Sequence, residues 1–168
     1  MAIVKATYTK SRHGAKASLR YITHRPGKDG KRATRTLFGN DGVMGKWHAY
    51  RMIDEAKKGT VFFRMVISPD PQQEDTQKDL HLWDITEQTM LRLEERLQQE
   101  VCYVAAEHSD HAPHRHVHVL VLVTGRLTPQ DFLALRETAT AAAVLQRQGR
   151  DFALAQQARE REEAQWER

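Results

Sequence analysis

The chain of 168 residues contains one cysteine, Cys102. It therefore forms no internal disulfide and no cysteine-rich metal cluster, and its place in an apolar run reads as that of a small buried hydrophobe. A run of about 18 or more apolar residues is also missing, and the N-terminal MAIVKATYTK lacks the apolar core of a signal peptide. These absences argue against a membrane-spanning helix and a secretory leader, so the expectation is a soluble, cytoplasmic protein. The length suits one domain with a real core and is too short for two comfortable ones.

Charge is plentiful but unevenly spread. Residues 1–60 hold fourteen Lys or Arg against four acids, a balance of +10, and the other 108 residues hold twelve against eighteen, a balance of −6. The sum is the net +4 of the chain. A basic segment of this size points to a polyanionic partner, nucleic acid first, because each cation placed near a phosphate releases condensed counterions.

The hydrophobic pattern divides the chain into short elements. Residues 2–8 read as a strand, and 11–23 as a helix in which Ala15, Leu19 and Ile22 recur at i, i+4, i+7 until Pro26 ends it. Glycines alternate with basic residues between Gly27 and Gly45, which predicts a mobile positive loop with room for a small hairpin. A short helix over 47–57 precedes the apolar run VFFRMVI, a buried strand stopped by Ser68-Pro69-Asp70-Pro71. Asp84 and Glu87 resemble a capping box opening a helix through about residue 99. Strands follow over 101–107 and 116–123, and one or two helices after Thr128, with Leu133, Leu135 and Val144 as apolar anchors. This order leaves no room for parallel crossovers throughout. It predicts an α+β fold, a central antiparallel sheet with helices packed mainly on one face.

Five of the nine histidines fall within eleven residues: His108, His111, His114, His116 and His118. In HVHVLVLV the side chains alternate, so His116 and His118 share a face with backbones about 7 Å apart. Two imidazoles so placed can converge on one ion, with His108 across the turn as a third ligand, or His111 or His114 in its stead. Three neutral imidazoles leave coordination positions open, as catalytic metal sites require. They suit Mn²⁺ or Zn²⁺ better than Mg²⁺. Asp110 is placed to accept an imidazole N–H and fix its tautomer.

The segment HSDHAPHRHVHVLVLV, with KASLRYITHR near the N-terminus and FRMVISPDP between them, resembles the relaxases of conjugative and mobilisable plasmids, which belong to the His-hydrophobic-His endonucleases. The hydrophobic residue here is Val117, and the resemblance spans roughly residues 1–125. It implies a relaxase-like nuclease domain over 1–126, followed by a helical extension over 127–168. It implies that Tyr21 attacks a phosphodiester of single-stranded DNA at a transfer-origin-like site, giving a 5′-phosphotyrosine and a free 3′ hydroxyl. Asp110 would assist catalysis, and accessory mobilisation proteins would be further partners. The implied cofactor is a divalent metal on His108, His116 and His118, Mg²⁺ or Mn²⁺ first and Zn²⁺ as an option.

The residues agree in part. Tyr21 lies off the Ala15–Leu19–Ile22 stripe, so the core does not require it. A phenol is largely protonated at neutral pH, and Arg20, His24 and Arg25 are placed to stabilise its anion. Tyr8 is the rival nucleophile, while Tyr50 and Tyr103 read as structural. Lys16, Arg20, Arg25, Lys28, Lys31, Arg32 and Arg35 are the candidate DNA contacts, with Phe38 or Trp47 as stacking surfaces. Two other readings explain the histidines: a three-histidine zinc hydrolase using metal-bound water, and a non-catalytic DNA binder whose metal is structural.

Overall fold

The computed structural model describes residues 1–31, 33–109 and 113–166. In chain order the elements are β1 (Ile3–Thr9), α1 (Arg12–His24), β2 (Leu37–Gly39), β3 (Gly42–Met44), α2 (Lys46–Asp54), β4 (Thr60–Ser68), α3 (Leu82–Leu97), β5 (Cys102–His108), β6 (His116–Thr124) and α4 (Pro129–Trp166). The six strands form one antiparallel sheet in the order β1-β4-β6-β5-β2-β3. Among the described residues, no helix is long and apolar enough to cross a membrane.

The expected antiparallel α+β sheet is present, but its helices are shared between two faces rather than gathered mainly on one. Strand alternation explains the division. On β6, Val117, Val119, Val121 and Val123 join a core with Leu82, Ile85, Met90 and Leu93 of α3 and Leu135, Ala139 and Ala143 of α4. Leu120 and Leu122 face the other way, onto Ala15, Leu19 and Ile22 of α1 and Ala49 and Ile53 of α2. A central strand apolar on both faces needs cover on both, because each buried aliphatic side chain contributes about 1.5–3 kcal/mol.

Local chemistry sets the helix ends. The Ser11 hydroxyl accepts the Gly14 N–H at 3.1 Å and caps α1. At the other end, Pro26 supplies no N–H to continue the helix. The helix α3 begins at Leu82 with His81 as its cap residue and no side-chain cap bond, so the capping box expected at Asp84 does not form. Asp84 lies inside the first turn and meets His81 Nδ1 at 3.1 Å. The earlier start buries Leu82 ahead of Ile85 on the same apolar stripe. After Thr128 there is one helix, of 38 residues. Of its expected anchors Leu135 is buried, while Leu133 and Val144 are exposed and Ala139 and Ala143 take their place, because alanine lets α4 lie close against α3 and the sheet.

The glycine-rich loop does contain a hairpin. Its turn residue Asn40 bridges to β5, donating to the Val101 carbonyl at 2.7 Å and accepting from the Tyr103 N–H at 3.1 Å. Phe38 is 2% exposed and stacks on Trp83 with ring centroids 4.4 Å apart, so it is a core residue and not a surface for bases. Cys102 is half-buried rather than enclosed.

Gly39 lets β2 approach β5: a Cβ there would lie 2.5 Å from the Tyr103 carbonyl oxygen. Gly39→Ala is expected to lower stability by about 1–3 kcal/mol, the usual cost of forcing packed elements apart. An unchanged denaturant midpoint would contradict this close approach.

Candidate metal centre

The antiparallel register between β5 and β6 places His108 directly opposite His116 and Ala106 opposite His118. All three histidines therefore project from the sheet face that α1 covers. Their ligand atoms lie within 4.8 Å of one another, and ring centroids are 4.5 Å apart for His108–His118, 5.0 Å for His116–His118 and 5.5 Å for His108–His116. Two nitrogens on a common tetrahedral zinc stand about 3.4 Å apart. A pair at the 4.8 Å outer limit closes by roughly 1.4 Å, through rotation of the rings about their side-chain bonds.

Backbone carbonyls orient two of the rings. The Ile22 carbonyl would bond the N–H of residue 26 in a continuing helix, and residue 26 is proline. His108 Nε2 meets that carbonyl instead, at 3.0 Å. A carbonyl only accepts, so Nε2 carries the proton and Nδ1 carries the lone pair of the neutral ring. His116 Nδ1 likewise donates to the His114 carbonyl at 3.2 Å, which leaves Nε2 as its ligating nitrogen. His118 Nε2 is buried and has no hydrogen-bond partner among the described residues. A buried nitrogen facing two imidazoles suits a cation, so the donor set fits a divalent metal of the Zn²⁺ or Mn²⁺ kind.

Electrostatics keep His118 in the ligating form. Burial, then the positive fields of His108, His116, Arg25 and Arg35, push its pKa down to about 3. It is therefore neutral throughout the physiological range.

A cleft of about 700 Å³ opens beside the histidines, between α1 and strands β1, β4 and β6. Its wall is Gly14, Ala17, Ser18 and Tyr21, and its floor includes Lys5, Thr7, Arg64, Val66 and His118. The cleft exists because α1 turns small residues towards this part of the sheet, while Ala15 and Leu19 anchor the helix in the core and Ile22 borders both. Tyr21 stands at the metal end, 48% exposed, its ring edge-on to His118 with centroids 5.8 Å apart. The Arg25 guanidinium lies over that ring, 5.3 Å from its centroid.

The other tyrosines are elsewhere. Tyr8 packs on Phe63 on the opposite face of the sheet, which removes it as a rival at this centre. Tyr103 is buried, and burial followed by the charge of Glu87 pushes its phenol up to about 12.

The basic candidates divide into groups. Arg35 folds back onto α1, its backbone N–H donating to the Thr23 carbonyl at 3.1 Å and its Nη1 to the Arg25 carbonyl at 2.7 Å, which brings both arginines to the histidines. Lys16 and Arg20 lie on the flank of α1 that faces α2. Lys28 and Lys31 are exposed around the turn closed by Gly27 N–H to the Lys31 carbonyl. Arg32, Asp110 and His111 lie outside the described residues.

Several site residues escaped the sequence reading. Arg64 interrupts an otherwise apolar strand, a signal that one face there opens to a cleft. Arg115 spans Asp75 (two contacts at 3.0 Å), Glu107 (3.1 Å) and the Leu80 carbonyl (2.7 Å). It pins the strand ends from which His108 and His116 project. Nothing in its spacing named those partners.

The chain is thus an α+β protein with a three-histidine centre at the end of an open basic cleft. No protein family matches its sequence, and neither a characterised protein nor a solved structure is significantly similar to it.

Two outcomes follow. His108→Ala, His116→Ala and His118→Ala should each lower Zn²⁺ or Mn²⁺ affinity about tenfold or more in titration calorimetry, since even support residues around ligands are worth that much. Equal affinity in all three would remove the centre. The second concerns acid. The folded pKa of His118, about 3, lies below the ordinary 6.5, so the unfolded chain binds the extra proton between those values. Stability of the metal-free protein is then full above about pH 6.5 and falls as the pH drops towards 3. Urea unfolding with chelator should show a shallower decline in His118→Gln, and an identical decline would contradict the assignment.

Proposed function

We propose that the protein is a metal-dependent single-strand DNA nickase of the relaxase type, with Tyr21 as the attacking group. The observation that supports this best is the position of Tyr21. It stands on the helix whose Ile22 carbonyl orients His108, with its ring edge-on to His118, and it lines the cleft that Lys5 and Arg64 make basic.

In this reading His108, His116 and His118 hold the ion, which supplies positive charge to offset what develops on the scissile phosphate. Lys5 and Arg64 on the cleft floor hold phosphates of the strand, and Arg25 stabilises the phenolate of Tyr21 as it forms. The Tyr21 phenol gives its proton to solvent, its oxygen bonds to phosphorus as the bond to the in-line 3′ oxygen breaks, and that oxygen leaves as a hydroxyl after taking a proton from solvent. The 5′ phosphate stays on Tyr21, so the reverse attack by a 3′ hydroxyl rejoins the strand. Burial first, and then the charges of His108, His116, Arg25 and Arg35, favour the unprotonated His118 that a metal needs. Plasmid mobilisation, with its accessory proteins and a transfer origin, is the biological setting that the resemblance suggests.

The test uses a pool of labelled, partly randomised single-stranded oligonucleotides with Mn²⁺ and a denaturing gel. A covalent protein–DNA band is expected from the wild type and should vanish in Tyr21→Phe, in His116→Ala and with chelator. Free cleaved DNA that survives Tyr21→Phe would replace the proposal with a three-histidine hydrolase acting through metal-bound water.

A further inference from the structure

The helix α1 has two flanks. One, with Gly14, Ala17, Ser18 and Tyr21, walls the cleft that leads to the histidines. The other carries Lys16 and Arg20 and faces α2 across a separate groove of about 540 Å³, completed by Lys46, Trp47, Tyr50, Arg51 and Asp54. Four cations and one carboxylate line this groove, and that carboxylate, Asp54, is paired with Lys16. Trp47 is 74% exposed. A single exposed apolar residue is ordinary on a protein surface; the surroundings of this one are not.

Ala49 and Ile53 anchor α2 in the core. Trp47, two residues before Ala49, therefore falls about 200° round the helix from it and is turned to solvent. Its ring stands 6.0 Å from that of Tyr50, tilted by 41°, and Lys46 Nζ lies 5.3 Å from its centroid. An open indole face beside an aromatic neighbour, rimmed by cations, is the combination that binds unpaired bases and their phosphates. An apolar protein segment would have no use for the four cations.

We propose that the groove between α1 and α2 is a second binding site, for single-stranded nucleic acid. A base stacks on Trp47, and Arg20, Lys46 and Arg51 contact the flanking phosphates. The choice of DNA among polyanions rests on the function proposed above, whereas the groove geometry does not. A strand that crosses α1 would then be held on both sides of the helix that carries Tyr21: in the groove by stacking and in the cleft by the metal end.

The test measures fluorescence anisotropy of an end-labelled oligothymidylate, without metal and in a Tyr21→Phe background so that no strand is cut. Trp47→Ala is expected to weaken binding about ten- to a hundredfold, the usual worth of one stacked base. Trp47→Phe, which keeps a stacking ring, should recover most of the loss. Arg20→Ala and Arg51→Ala should each lower the salt dependence of binding by about 0.7 in log–log slope. Trp47 is exposed, so its variants should stay folded. Trp47→Ala binding as tightly as its parent would overturn the proposal, and so would failure of the parent to bind at low salt. Because cleavage plays no part in this readout, binding through Trp47 without any covalent band in the gel assay would leave the groove standing and remove only the nickase.

Discussion

The site depends on one pairing: His108 on β5 directly opposite His116 on β6. Strand side chains alternate with a period of two, so a slip of one residue would carry His116 and His118 to the far face, into the core shared with α3 and α4. The valines and leucines of β6 prevent that slip. Val117, Val119, Val121 and Val123 fill one core and Leu120 and Leu122 the other, and exchanging the faces would mismatch both. The same burial that stabilises the sheet thereby fixes the register of the ligands.

A second constraint links the helix that carries Tyr21 to this register. Because Pro26 has no N–H, the Ile22 carbonyl is left open at the end of α1, and the buried His108 ring bonds it. One hydrogen bond therefore orients a ligand, sets its tautomer and ties α1 to β5. The core contacts of Ala15, Leu19 and Ile22 hold the rest of the helix, and its small residues leave the cleft open along the sheet. The clustering of Arg25 and Arg35 by the same helix end gives the site a positive field. That field opposes protonation of His118 and would attract a phosphate backbone.

Much of this was legible in the sequence. The strand and helix positions follow from periodicity, and His116 and His118 share a face by alternation alone. His108 as their partner needed the turn geometry, which spacing does not encode, and it is the pairing across residues 109–115 that distinguishes it from His114. The helices cover two faces because β6 is apolar on both, with valines on one side and Leu120 and Leu122 on the other, whereas the order of elements alone does not assign helices to faces. Phe38 looked like a surface aromatic because its loop is basic, yet the short strand it occupies joins the sheet edge and meets Trp83. The network of Arg115 with Asp75, Glu107 and the Leu80 carbonyl joins parts of the chain up to 40 residues apart, beyond what local patterns can show.

The central claim is that three imidazoles converge on one ion beside Tyr21. Anomalous diffraction from crystals equilibrated with Mn²⁺ tests it directly. The account predicts one strong peak bounded by His108, His116 and His118 and open towards the cleft. No bound manganese, or a peak held by His111 or His114 and not by His108, would contradict it.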